Sequence, residues 1–176
     1  MSGGARAAFA ELPMISLARR ITALNHGLFV LAKWLIYAIV LLMLWEVLSR
    51  YVLSSPTSWA PELATLIFGP FFLLGGPYLL HLGGHVAVDV VSVHAKGTLA
   101  VALKLAGFVL AAVFGAILLW FSLPLVLQSF SYGETSYSAW NPVVWPAKAF
   151  LPFSALLLML QAFAEAITTI CEPEKV

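Results

Sequence analysis

The side chains able to do chemistry in this sequence fall into three pairs, each spaced four residues apart. Glu46 and Arg50 share one helical face, and Glu62 follows a short loop later. A carboxylate and a guanidinium at the end of an apolar run seek each other. The group therefore predicts a clamp between two helices, with a substrate or ion site as the alternative. His85 and Asp89 form the second pair, within a segment whose Val86, Val90 and Val93 make an apolar stripe. Two ligands one turn apart leave a metal undercoordinated, so this pair predicts a short interfacial helix that is structural or contacts a partner. Gln161 and Glu165 form the third, placed to hydrogen-bond a neighbouring helix. Trp59 and Lys148 complete the set of structural or partner-contact candidates. No nucleophile with an organised base, phosphate-cradling glycine loop or paired cysteine motif accompanies them, so no catalytic, cofactor or metal site is expected and no enzyme activity.

The elements that must position these groups are four apolar runs, from Leu28 to Leu48, Leu63 to Leu80, Leu99 to Leu127 and Val143 to Ile170. About 20 apolar residues in a helix cross a hydrocarbon core about 30 Å thick, and lipid offers no partner to an unpaired peptide group. The chain is 62% hydrophobic and 10% charged, far from the usual balance of a soluble domain. The expectation is an all-α integral membrane bundle of four transmembrane helices with a short inner-loop helix. Residues 1–24 form a cytoplasmic extension, 25–170 the transmembrane domain and 171–176 a cytoplasmic tail. Within the extension, Met14 to Leu24 fits either a short surface helix or a frayed tail. The first run is too long and too late for a cleaved signal peptide and reads as a signal anchor. A net charge of +1 shows no nucleic-acid footprint, and the lone Cys171 has no disulfide partner.

Charge sets the orientation. With both termini inside, Arg6, Arg19, Arg20, Lys33, Lys96, Lys104 and Lys175 face the cytoplasm, leaving Arg50 and Lys148 outside. Both outer loops lead through Trp and Pro into the next helix, at Trp59 and Pro61 and again at Trp145 and Pro146. Tryptophan favours the head-group boundary and proline the first helical turn. Pro70 and Pro77, beside Gly69, Gly75 and Gly76, should kink or loosen the second helix, since each proline removes one ladder bond. A broken helix can mark a substrate site, but the run from Leu63 to Leu80 has only Thr65 and Tyr78 as polar side chains, which favours packing.

The segment WEVLSRYV from Trp45 to Val52, Trp59 followed by Glu62, HVAVD from His85 to Asp89, and the late stretch from Gly133 to Pro152 together resemble the small membrane subunit of the tripartite ATP-independent periplasmic (TRAP) transporters. The resemblance covers about residues 25 to 170. It implies a secondary, sodium-coupled transporter for organic acids in the bacterial inner membrane. A periplasmic solute-binding protein captures the substrate, a large multi-span subunit moves it, and this chain braces that subunit among the phospholipids. A haem-binding anchor of an oxidoreductase, using His26, His81 and His85, is the alternative from another class. A small autonomous channel is disfavoured because no helix carries a polar stripe.

Overall fold

Each apolar run becomes a helix because only a helix pairs its peptide groups within one lipid-embedded segment. The computed structural model describes residues 13–83 and 98–171. Its helices are α1 (Pro13–Tyr51), α2 (Trp59–His81), α3 (Thr98–Ser131) and α4 (Trp145–Cys171), all long and apolar enough to cross a membrane. At about 1.5 Å per residue, α2 spans about the thickness of a hydrocarbon core, and the others exceed it. Among the described residues there is no strand, and the α1–α2 and α3–α4 loops hold bends and irregular chain, with an isolated bridge between Thr135 and Val143. The fold is all-α with four candidate spans. The inner-loop segment with His85 and Asp89 lies outside the described residues, as do residues 1–12 and 172–176.

The helical boundary differs from the hydropathy boundary at one place. The first apolar run starts at Leu28, yet α1 begins at Pro13 and continues unbroken, so Met14 to Leu24 is not a separate surface helix but the opening turns of α1. Packing explains the extra length. Ile15, Ala18 and Asn25 are all buried, and polar bonds described below tie this stretch to α4.

Helix α4 is the hub. It packs against α1, α2 and α3, while α1 also packs along α2. Small residues let the backbones approach, as membrane helices require when no hydrophobic effect separates helix from lipid. At Gly115 of α3, a Cβ would lie 2.7 Å from Met159 Cγ and 3.1 Å from the Ala155 carbonyl oxygen of α4, so a side chain there would have to displace Met159 and crowd the α4 backbone. The small core comprises Ala32, Leu74 and Leu157, with Leu28 and Phe150 against it. In contrast, α1 and α3 turn large side chains outward. Leu41 is 66% exposed and Trp120 77%, surfaces suited to lipid or to another chain.

The prolines of α2 lie within a continuous helix. Pro77 has no N–H to give the carbonyl of Leu73, four residues earlier, and that oxygen would be orphaned in an apolar layer. The Ser154 hydroxyl of α4 donates to it at 2.6 Å. One serine thus both satisfies a broken ladder and pins α2 to the hub.

Ser154→Ala should therefore cost about 1–3 kcal/mol, the range for leaving a buried carbonyl unpaired. In a Pro77→Ala background the restored N–H serves Leu73, and the same substitution should cost much less. Thermal unfolding of the four proteins in a double-mutant cycle measures the coupling. Equal costs in both backgrounds would show that Ser154 does not replace the missing bond.

Candidate functional site

The polar side chains gather at the two ends of the bundle. At the end carrying the α1–α2 and α3–α4 loops, each of three carboxylates ties a different piece of chain. Glu46, on the penultimate turn of α1, is nearly buried and accepts hydrogen bonds from Arg50 and from the Thr57 hydroxyl, with the Thr57 N–H at 3.0 Å. Charge-assisted bonds of this kind are stronger than neutral ones, and here they fasten the α1–α2 loop two residues ahead of Trp59, where α2 begins.

Glu62, in the first turn of α2, has a partner in the other loop. It accepts from the Ser138 hydroxyl at 2.5 Å, which links α2 to the α3–α4 loop. That loop is well braced. The Ser136 N–H donates to the Pro142 carbonyl at 3.0 Å and the Tyr137 N–H to Asn141 Oδ1 at 3.0 Å. Tyr137 and Asn141 both adopt positive φ, near 55°, which side-chain-bearing residues seldom do, so the surrounding bonds hold them there. Glu134 completes the set by accepting from Lys148 Nζ at 2.6 Å.

At the opposite end a chain of polar contacts crosses three helices. His81 Nδ1 of α2 lies 2.6 Å from Glu165 Oε1 of α4. Gln161 Nε2 donates to that same oxygen at 2.6 Å and to Thr22 Oγ1 of α1 at 3.0 Å, while its Oε1 accepts from Asn25 Nδ2 at 2.7 Å. Gln161 is fully buried, and its amide is used in both directions. Rings seal one side: Tyr78 lies 5.0 Å from His26 and 5.6 Å from His81.

Sequence spacing placed Glu46 with Arg50 and Gln161 with Glu165, and in the structure each pair is bonded. It did not identify Thr57, Ser138 or Glu134, whose bonds close over loops and follow no helical period. Thr22 and Asn25 were also missed, although with His26 they repeat at one helical face inside a segment read as an extension. His85 and Asp89 remain outside the described residues. Among the described residues no group of three or more His, Cys, Asp and Glu could hold a metal ion. The haem reading gains no support, because Tyr78 packs against both His26 and His81.

Between the two polar layers the described helices carry no charged side chain from Trp34 to Trp45, Leu63 to Leu80, Leu105 to Ser131 or Ala149 to Leu160. The polar atoms at the ends tie helices together.

The Lys148 ammonium holds the Glu134 carboxyl below the ordinary glutamate range, with a smaller contribution from Ser129. A depressed folded pKa means that the tie contributes fully above the unfolded value and is lost as pH falls through the folded one. Glu134→Gln should therefore lower stability at neutral and alkaline pH by a constant amount and flatten the acid limb of a stability profile recorded from neutral pH downward. An acid limb as steep as that of the unsubstituted chain would show that another carboxylate governs it.

A comparison with curated proteins found no match. A comparison with protein families found one for Tripartite ATP-independent periplasmic transporters, DctQ component, over residues 39–172, most of the chain. The matched stretch contains three of the four helices in full, the α1 end with Glu46 and Arg50, and all of the α3–α4 loop. The chain therefore belongs to the DctQ family, the small membrane component of the tripartite ATP-independent periplasmic transporters.

Proposed function

We propose that this chain braces the large membrane subunit of its transporter, in the bacterial inner membrane, and carries no substrate site itself. The observation that carries the reading is the charge-free middle of the described helices. A carrier for charged solutes needs polar groups near the membrane midplane, where broken helices bind substrate and coupling ion. Here the Leu73 carbonyl that Pro77 frees is already bonded to Ser154, so it offers nothing to a solute. The outward apolar faces of α1 and α3 supply the area a brace needs against its partner and lipid.

On this reading the transporter is a sodium-coupled carrier of organic acids, fed by a periplasmic solute-binding protein. The loop end, with Arg50 and Lys148, faces the periplasm, and both termini face the cytoplasm, in keeping with the distribution of Lys and Arg. A cysteine placed at Glu134 in a Cys171→Ser background would then react with an impermeant outer reagent, and failure to react would reverse the orientation.

Vesicles holding only this chain should take up no organic acid with an imposed sodium gradient. Vesicles that also hold the large subunit and the binding protein should do so. Sodium-driven uptake by the chain alone would end the brace reading.

A further inference from the structure

Of the loop-end carboxylates, Glu134 opens onto a cleft. A space of about 480 Å³ lies between the last turn of α3 and the start of α4, lined by Leu125, Gln128, Ser129, Tyr132, Tyr137 and the Glu134–Lys148 pair. Three observations point to a ligand. Ser129 is only 2% exposed, and its Oγ forms no hydrogen bond, although it lies near enough to Glu134 to favour the ionised carboxyl. A buried hydroxyl without a partner is costly, and native structures rarely leave one so. Lys148 and Glu134 are each about one-third exposed, at 32% and 35%, so both charges remain reachable while paired to each other. Lys148 has three donors, and the bond to Glu134 uses one.

The walls settle what kind of ligand fits. The cleft opens at the end of a candidate membrane span, where Leu125 of α3 is exposed. Tyr132 and Tyr137 are 77% and 86% exposed at its rim, as amphipathic rings at a head-group boundary tend to be. The ionic pair carries one positive and one negative charge, with no net charge to attract a simple anion. We propose that this cleft seats the head group of a zwitterionic phospholipid, of the phosphatidylethanolamine type, with its acyl chains along the exposed face of α3. The phosphate takes the free donors of Lys148 and the Ser129 hydroxyl, and the ammonium meets Glu134. This assignment needs only the membrane-spanning fold and stands apart from the bracing role.

Native mass spectrometry of the full chain, released from nanodiscs of equal phosphatidylethanolamine and phosphatidylglycerol, tests it. The unsubstituted chain should retain one phosphatidylethanolamine in preference to phosphatidylglycerol. Glu134→Gln leaves the site cationic and should move the ratio toward phosphatidylglycerol by about fivefold, the scale of one charge at a membrane surface. Lys148→Met should lower retention of phosphatidylethanolamine by about tenfold, as expected for losing a charge-assisted bond. Ser129→Ala guards against misfolding as the cause, because it should keep the unfolding temperature and still weaken retention. If folded Ser129→Ala retains lipid as before and Glu134→Gln leaves the ratio unchanged, the proposal is wrong. Displacement of the lipid by millimolar glycerophosphoethanolamine would identify a site for soluble phosphates and overturn the lipid assignment.

Discussion

Lipid cannot hydrogen-bond, and from that constraint the rest of this structure follows. A polar atom within the spans is therefore costly unless it finds a partner on the chain, and several of the partners here lie on another helix. The Leu73 carbonyl freed by Pro77 is met by Ser154 of α4. Gln161, fully buried on the same helix, satisfies both ends of its amide through Asn25, Thr22 and Glu165. Polar groups that would destabilise an isolated helix thus specify which helices lie side by side and in what register. Apolar packing alone would do this poorly, since a leucine gains little by leaving lipid for another leucine.

The same constraint explains why α4 is the hub. It carries Ser154, Gln161 and Glu165, the groups that reach α2 and α1, and the Ala155 and Met159 surface against which Gly115 of α3 fits. The loops act at the other end. Glu46, Glu62 and Glu134 fix one loop segment each, so the ends of α1, α2, α3 and α4 are held by short charge-assisted bonds. Held at both ends in this way, the bundle presents apolar faces on α1 and α3. An apolar surface is what a brace needs and a solute pathway lacks.

Much of this was legible in the sequence. Four helices follow from run lengths, and two polar pairs follow from a spacing of four residues, because a helix makes that spacing a contact. Glu62 was less legible. Its nearest charged neighbour by sequence is Arg50, but Ser138, far along the chain, reaches it first. The start of α1 escaped hydropathy for a related reason: Thr22 and Asn25 lower the apolar score of a stretch that these same residues tie to α4. These two residues precede the stretch matched to the family, whereas Gln161, which they serve, lies within it. Long-range side-chain bonds have no sequence period, and only the fold brings them together.

The central claim is that the outward faces of α1 and of the middle of α3 meet a partner subunit, while the polar groups outside the Glu134–Lys148 cleft serve the bundle. Photo-crosslinking in native membranes tests it most directly, with a photoreactive residue placed in turn at Leu41, Phe72, Trp120 and Phe163, all exposed on the isolated chain. The account predicts protein crosslinks to a large multi-span subunit from Leu41, from Trp120 or from both. Crosslinks to lipid alone from both positions, in membranes containing the assembled transporter, would contradict it.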